Sequence, residues 1–413
     1  MSRKVLGALT LSIGDVLGKV IGFVILPYLT THLGASGYGA LTLYLSVIQI
    51  LVIIISFSGQ GLLPVKYMQE GEYSSLVFRR DNISLAFAIS IILVVAFYLL
   101  TLFLNVSVNF IDGLLVILAS LAQAINFINL SHLRISQTYK VAAIGQFLLS
   151  AFNVLFTLIL FGMIAATPGQ RLIAIAASFF SIQIAYELII YRKREIGIIS
   201  RLPLMTRYKE IIHYGISLLP HHGSYWIKSS IDRFFIAHYM NAAVVGVYGL
   251  AFQLTSIIML FFSVINQALQ PFIYRKLKVK DFKGVELIQY GYIGLVVTGC
   301  LIYYFVMPFI FPYLFKPEFN RAVYYFDILL PGVAFMSIYY VFTHSLFYYR
   351  KNKLISIITI GSMITHLLGI VIITLTSIKI EYFCIVYTVS SLFSCVVTYI
   401  YGKRQLHIER VRC

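Results

Sequence analysis

The stretch HLGASGYGALTLY (residues 32–44) lies between two long apolar runs, and a similar stretch, HYMNAAVVGVYGL (residues 238–250), occurs in the second half of the chain. Aligning Gly39 with Gly246 gives an offset of 207 residues (246 minus 39), about half of the 413-residue chain. Glycines in this pattern favour a tight turn at a helix end, followed by a helix that packs closely against a neighbour. The two stretches therefore predict an internal repeat with the same turn after the first helix of each half.

The composition is that of a membrane protein. Apolar residues make up 60% of the chain, charged residues only 11%, and the mean hydropathy is +0.89, whereas soluble domains are about 25% charged. A helix needs about 20 apolar residues to cross a bilayer, and the apolar runs here are continuous. They predict twelve membrane-spanning helices: 6–29, 38–62, 83–104, 110–130, 141–165, 171–191, 211–236, 244–270, 287–309, 323–346, 354–376 and 380–401. The first run is too long for a cleavable signal peptide and is interpreted as the first span.

The net charge of +17 has a topological explanation. With twelve spans and a cytoplasmic N-terminus, 25 of the 32 Lys and Arg residues fall on the cytoplasmic side, four on the outer side and three within spans. This asymmetry follows the positive-inside rule. It predicts that both termini are cytoplasmic and that the basic surface faces membrane lipids, so nucleic acid is not expected as a partner.

Six spans precede a basic loop and six follow it. Because six is even, both halves enter the membrane from the cytoplasm, which makes them parallel repeats related by a pseudo-twofold axis along the membrane normal. The predicted fold is an all-α integral membrane protein with two six-helix lobes. Its parts are an N-terminal lobe (1–191), an inter-lobe loop (192–209), a C-terminal lobe (210–401) and a cytoplasmic tail (402–413).

The first span of each half carries charged residues. In the first span, Ser12, Asp15 and Lys19 share one helix face. In span 211–236 the spacing i, i+4, i+7, i+11 places His221, Tyr225, Lys228 and Asp232 in one stripe, and His222, Trp226, Ser229 and Arg233 form the adjoining stripe.

A charge at the centre of a membrane helix costs about 2.5–3.5 kcal/mol on insertion scales, so these charges need a reason. One interpretation is a water-filled cavity in which Lys19, Lys228 and Arg233 bind an anion, while Asp15, Asp232, His221 and His222 act as charge partners or bind a coupling ion. Ser12, Tyr225 and Gln253 are polar candidates for the lining of that cavity. The other interpretation is that the charges form structural salt bridges or extend to the interface. Glu187, Asp112 and Asp327 stand alone in the sequence and are expected to have helix-end or packing roles.

No motif predicts catalysis. The sequence contains no HExxH, GxSxG or Walker A pattern and no cysteine spacing typical of a metal or redox site. The predicted outer loops are too short to form a catalytic domain. A polymerase or ligase of the membrane is therefore disfavoured, and we expect neither a cofactor nor a metal.

At these residues the chain resembles a known family. Pro27, Leu33, Gly34, Tyr38 and Gly39 form one element, and the second half contains the related segments DRFFI, VGVYGLAFQL and QPFIYRK, with Asp232, Arg233, Val245, Gly246, Tyr248, Pro271 and Tyr274. This pattern is similar to the Wzx-type O-antigen flippases, in the polysaccharide-exporter branch of the multidrug/oligosaccharidyl-lipid/polysaccharide flippase superfamily. The resemblance covers nearly the whole chain in span count, length and repeat.

The resemblance implies a flippase of the bacterial inner membrane that moves an undecaprenyl-pyrophosphate-linked oligosaccharide from the cytoplasmic to the periplasmic leaflet. The polymerase and chain-length proteins of the same pathway are implied partners. Coupling to H⁺ or Na⁺ stays open, as does drive by the membrane potential alone. The alternative is a cation-coupled drug antiporter of the same superfamily, for which Asp15 or Asp232 would be essential and Lys19 and Lys228 dispensable.

Overall fold

The computed structural model describes residues 18, 20–103, 109–192 and 203–411. Across these residues the secondary structure is helical. The long helices are α1 (Leu26–Ser56), α2 (Gly59–Phe103), α3 (Phe110–Ile135), α4 (Tyr139–Met163), α5 (Pro168–Arg192), α6 (Leu204–Tyr239), α7 (Ala242–Lys278), α8 (Phe282–Leu314), α9 (Arg321–Tyr348), α10 (Asn352–Thr376) and α11 (Ile380–Val411). One turn of 3₁₀-helix, Pro317–Phe319, precedes α9.

Two glycines divide the first two long helices. Gly34, with φ of +65°, interrupts α1 at the turn between the first two predicted spans, and Gly71, with φ of +87°, interrupts α2. A positive φ is costly for residues with a Cβ, so glycine is the natural residue at both kinks. Residues 63–82, predicted as a loop, are helical instead, because the helix restarts at Gly59 and continues through this polar stretch.

Nine helical stretches within the described residues are long and apolar enough to cross a membrane, with α1 and α2 counted together as one stretch. Helix α6 is not among them, because its polar stripe lowers its hydropathy. The other spans predicted from 110 onwards coincide with helices, many of which extend past the apolar segment; the span 141–165 runs two residues past the end of α4 at Met163. The predicted tail from 402 is part of this extension, since α11 continues to Val411.

Contacts between residues divide the chain into two units: Met1–Leu33 with Leu43–Gly223, and Gly34–Thr42 with Ser224–Cys413. In the first unit, α3 packs against α2, α4 and α5. An apolar core of this unit joins residues of α1, α2, α3 and α5, among them Ile55, Ala86, Ala119, Ala124 and Leu172.

In the second unit, α9 is the central helix and packs against α7, α8, α10 and α11. Its buried side chains include Phe326, Leu329, Val333 and Phe342, all at most 1% exposed. The segment Gly34–Thr42, which belongs to this unit, packs against the start of α7.

The two similar stretches from the sequence meet at this contact. A Cβ on Gly39 would overlap the carbonyl oxygen of Ala242 and lie 2.9 Å from the nitrogen of Gly246; a Cβ on Gly246 would overlap the carbonyl oxygen of Ala35 and lie 3.0 Å from the nitrogen of Gly39. Ala35/Gly39 and Ala242/Gly246 each have the four-residue spacing of small residues that lets membrane helices approach closely. The close packing predicted for both glycines is therefore present, and each glycine is the other's neighbour.

Candidate functional site

The polar stripe of α6 changes from exposed to buried along the helix. Tyr225 is 58% exposed, whereas Lys228 is 7%, Asp232 2% and Arg233 7% exposed. His221, one turn before Tyr225, is also exposed. The charged residues near the end of the stripe are thus enclosed by the second unit, and the residues nearer the middle of the helix are not.

The Lys228 ammonium contacts three other helices of this unit. Its Nζ donates to Oγ of Ser362 on α10 over 3.0 Å and lies 3.3 Å from Sδ of Met336 on α9. It also lies 5.7 Å from the centroid of the Tyr387 ring on α11, within cation–π range. In the described part of the chain, no carboxylate forms an ion pair with it.

The Asp232 carboxylate is held by two donors. Its Oδ2 accepts from the Tyr248 hydroxyl over 2.6 Å, and its Oδ1 lies 2.8 Å from Nε2 of His366, which is fully buried on α10. His366 Nδ1 lies 3.4 Å from Oγ of Ser390 on α11. Helices α6, α7, α10 and α11 therefore meet in one hydrogen-bonded network.

The Arg233 guanidinium lies beside this network. Its Nη1 donates to the Ser229 carbonyl oxygen over 3.1 Å and lies 3.4 Å from Ser230 Oγ. The guanidinium carbon is 5.0 Å from the centroid of the Phe252 ring, which itself packs edge-on against Tyr387 at 5.2 Å. Aromatic rings of α7 and α11 thus connect the surroundings of the two cations.

Among the described residues of the second unit, the buried charged side chains are two cations, Lys228 and Arg233, and one carboxylate, Asp232. The group therefore contains one basic side chain more than it contains carboxylates. Such a group can accept an anion without needing a further cation.

The remaining predicted site residues divide into three groups. Ser12, Asp15 and Lys19 lie outside the described residues. The rings of His221 and His222 are 5.5 Å apart in an edge-to-face arrangement, near the end of the first unit. Gln253 is half-buried on α7.

Sequence reasoning missed the partners of the charged residues. His366 and Ser362 are spaced i, i+4 in the apolar span 354–376, and a histidine inside such a span is a signal that could have selected them. Ser390 carries no comparable signal, because serine is common in membrane helices and usually bonds to its own backbone, and Tyr248 is one of 30 tyrosines in the chain.

The first unit contains a second polar network, in which the amides and Arg79 are buried and Glu187 is exposed. Arg79 Nε donates to Asn129 Oδ1 over 2.7 Å, and its guanidinium pairs with Glu187. Asn129 donates to Gln183 over 2.6 Å, and Gln183 to Asn126 over 2.9 Å. The expectation that Glu187 is isolated is wrong: it is the ion-pair partner of a buried arginine, far away in sequence. In contrast to Lys228, Arg79 has its own carboxylate.

The chain matches two family models. The model described as "Polysaccharide biosynthesis protein" matches residues 5–276, and the model described as "MatE" matches residues 224–372. A relative from Haemophilus influenzae, named "Lsg locus putative protein 1", is 27% identical over 378 residues, which cover 89% of this chain and 90% of the relative.

The chain is also similar to solved transporter structures. An inward-facing multidrug resistance transporter of the MATE family, in the MOP superfamily, superposes with a TM-score of 0.73 at 13% identity, covering 99% of this chain and 96% of the other. The structure of the MATE multidrug transporter DinF-BH gives a TM-score of 0.69 at 17% identity, covering 98% of this chain and 97% of the other. These likenesses concern the fold, and they confirm the prediction of a two-lobed, all-helical membrane protein.

Proposed function

Because this chain belongs to the polysaccharide biosynthesis protein family and has the fold of MOP-superfamily transporters, we propose that it is a flippase for a lipid-linked oligosaccharide. The cargo class is an undecaprenyl-pyrophosphate-linked repeat unit. It moves from the cytoplasmic to the periplasmic leaflet of the bacterial inner membrane by alternating access. In this orientation both termini are cytoplasmic.

The observation that carries the proposal is Lys228. It is a buried cation on a membrane helix, its ammonium contacts a hydroxyl, a thioether and an aromatic ring, and no described carboxylate pairs with it. Burying an unpaired charge is costly unless a partner compensates for it. A pyrophosphate is a suitable partner, since it supplies the negative charge that the protein does not, and Arg233 offers a second cation one turn further along α6.

The physical driving force agrees with an outward-moving anion. With the cell interior negative, each elementary charge gains about 2.3 kcal/mol per 100 mV on crossing the membrane. A pyrophosphate with two charges would gain roughly 4–5 kcal/mol on the same scale. The membrane potential therefore favours export of this cargo and opposes export of a cation.

The relative from the Lsg locus and the family description are consistent with a role in polysaccharide assembly. The solved structures named above are multidrug transporters, but at 13% and 17% identity their cargo does not transfer to this chain. In a drug antiporter, Asp15 or Asp232 would be essential, and Asp232 is the one of the two that lies within the described residues. Here both of its oxygens already accept hydrogen bonds, which disfavours that role.

The test is complementation of a bacterial strain that lacks its own flippase, with membrane expression matched between variants. We expect the wild type to restore surface polysaccharide, and Lys228→Ala and Arg233→Ala to lose most of this activity. Lys19→Ala belongs in the same series. Lys379→Ala is the matched control, because Lys379 precedes α11 and its ammonium lies over the ring of Tyr382.

Full activity of Lys228→Ala and Arg233→Ala would refute the anion site. Loss of activity in Lys379→Ala to the same extent would also count against it, because the effect would then follow from any lost cation. A strain that gains drug resistance but no surface polysaccharide would favour the antiporter.

A further inference from the structure

We propose that an apolar cavity in the first unit binds phosphatidylethanolamine, a phospholipid whose head group carries a primary ammonium. One hydrocarbon chain of the lipid fills the cavity, and the ammonium pairs with the Asp112 carboxylate. The site does not depend on the cargo of the proposed flippase; only its assignment to the outer leaflet uses the orientation proposed above.

The cavity lies between α1, α2 and α3 and has a volume of about 320 Å³. Its lining is aliphatic and aromatic, and the Tyr44 hydroxyl is the one polar side-chain group among the described residues that line it. An engineered apolar cavity of about 150 Å³ stays dry and takes up benzene. By the same measure, a cavity about twice as large has room for about twelve carbons, which is part of one hydrocarbon chain.

The cavity is open along α2. Its floor on α3 is buried, with Val116 4% and Ile117 5% exposed, whereas Leu100 on the α2 side is 47% exposed and Ala96 is also exposed. The exposed neighbours on α2 include four further apolar side chains, Ile92, Val95, Leu99 and Phe103. In a membrane-spanning helix such a surface faces hydrocarbon. A chain of a bilayer lipid can therefore enter the cavity from this side.

A glycine shapes the wall of the cavity near the start of α3. The Phe97 ring packs directly on Gly113, where a Cβ would overlap the ring, and it stacks on Phe110 with the ring centroids 5.9 Å apart and the planes within 7°. The ring therefore forms part of the wall and leaves the space beside it open. Because protein interiors are close-packed, a chain from outside is favoured to fill this space.

A carboxylate marks the polar end of the cavity. The Tyr44 hydroxyl donates to Oδ2 of Asp112 over 2.9 Å, and Asp112 lies in the first turn of α3, immediately before Gly113. In the described part of the chain, no lysine or arginine forms an ion pair with Asp112. A half-buried carboxylate in this position can accept charge-assisted hydrogen bonds from an ammonium group.

The charge of Asp112 selects among membrane lipids. Phosphatidylglycerol and a polyprenyl pyrophosphate bring anionic oxygens without a cation, and like charges at a contact are unfavourable. A choline head group brings a positive charge without an N–H donor. A primary ammonium brings the charge together with three N–H donors, as a lysine side chain does. Phosphatidylethanolamine is thus the lipid whose head group and chains both match the site.

The leaflet follows from the orientation of the chain. With cytoplasmic termini, α2 ends at Phe103 and α3 begins at Phe110 on the outer side of the membrane. Asp112 is two residues into α3 and therefore lies near the outer interface, where the head groups of the outer leaflet begin.

The test is native mass spectrometry of the full-length purified protein, mixed with equal amounts of phosphatidylethanolamine and phosphatidylglycerol that have identical chains. The readout is the identity of the last lipid that remains bound as the collision energy rises. A charge pair at a partly exposed site corresponds to a preference of about fivefold, and we expect this preference for phosphatidylethanolamine.

Two variants separate the head group from the chain. Asp112→Asn keeps an acceptor for Tyr44 but removes the charge, so a lipid should still be retained, without the preference. Ala96→Trp fills the open side of the cavity and should lose the last lipid. The matched controls, expected to behave as wild type, are Val95→Trp, at an exposed position of α2 outside the lining, and Asp327→Asn, in the second unit. If Ala96→Trp fails to fold, Asp112→Asn still decides, because an amide has nearly the shape of a carboxylate.

Thermal unfolding in detergent is the second measurement. A ligand of the folded state raises the unfolding midpoint, so phosphatidylethanolamine should raise it more than phosphatidylglycerol does in wild type and equally in Asp112→Asn. An unchanged preference in Asp112→Asn, unchanged retention in folded Ala96→Trp, or displacement of the last lipid by excess undecaprenyl phosphate would overturn the inference. These outcomes leave the flippase proposal standing, because they do not involve Lys228. A wild type that keeps its lipid preference but fails to restore surface polysaccharide would refute the flippase and leave the lipid site.

Discussion

The contact between Gly39 and Gly246 gives a quantitative test of the fold. In Gly39→Ala the new Cβ would lie 2.9 Å from the Gly246 nitrogen and closer still to the Ala242 carbonyl oxygen, whereas ordinary contacts are 3.4–4 Å. The backbones must therefore separate by at least about 0.5 Å, the difference between 2.9 Å and 3.4 Å. Both nearest atoms belong to backbone, which cannot rotate away as a side chain can.

Overpacking of this kind costs about 1–3 kcal/mol, and sometimes more. The same substitution in a free part of a helix has the opposite sign, because alanine is a better helix former than glycine by up to about 1 kcal/mol. Gly22→Ala and Gly223→Ala are the matched controls, since a Cβ built at either residue has no described heavy atom within 4 Å apart from its chain neighbours and the adjacent backbone of its own helix.

The assay is thermal unfolding in detergent, followed by the amount of monodisperse protein that remains after heating. For a unit of this size, 1 kcal/mol shifts the midpoint by about 2–4 °C. We expect Gly39→Ala and Gly246→Ala to lower it and the two controls to leave it unchanged or raise it.

The double variant gives the sharper result. Both methyl groups enter the same interface, so the separation forced by one makes room for the other, and the combined loss should be smaller than the sum of the two. Strict additivity of the two losses, or midpoints equal to those of the controls, would refute the close contact between these stretches.

Three further predictions concern local contacts. Asn241→Ala should destabilise α7 by about 1 kcal/mol, because the side chain caps the helix start, and hydrogen exchange in the first turn should accelerate. The hydrogen-bonded ion pair with Lys276 and, to a smaller extent, a hydrogen bond from a backbone N–H lower the pKa of Asp281. The stabilisation that Asp281 gives to the start of α8 is therefore present above the unfolded pKa of about 3.9 and is lost as the pH falls through the lower folded pKa. Hydrogen exchange at the start of α8, measured at acidic pH, would detect this loss. Arg79→Ala should cost about 1–3 kcal/mol by leaving buried amides without their donor, whereas Glu187→Gln, which keeps an acceptor, should cost less in the same thermal assay.

The sequence predicted the spans well because hydrophobicity over about 20 residues is a strong signal. It failed at 63–82, where polar residues favoured a loop. This stretch is helical, and its charged side chains have partners: Lys66 pairs with Glu70 one turn further along and with Glu210, and Asp81 lies 3.2 Å from Arg207. Partners more than 100 residues away are invisible to a sliding window.

The candidate site was predicted in part. The spacing of Lys228, Asp232 and Arg233 selects them, because helical periodicity places them on adjoining stripes. Periodicity cannot show which neighbouring helix supplies the partner, so His366 and Tyr248 were not found. It also could not distinguish Tyr225, which is exposed, from Lys228, which is buried on the same stripe.

A comparison of the two polar networks explains why one is interpreted as structural and the other as functional. In the first unit, Arg79 is paired with Glu187 and bonded to Asn129, so the protein itself satisfies the cation. In the second unit, Asp232 is fully bonded by Tyr248 and His366, and Lys228 is left with neutral contacts. Two cations and one carboxylate would cost about 8–10 kcal/mol on insertion scales if each were at a helix centre. A structural link between helices would need only a balanced pair, as in the first unit. The additional cation therefore has a physical rationale if an anion from outside the chain binds there.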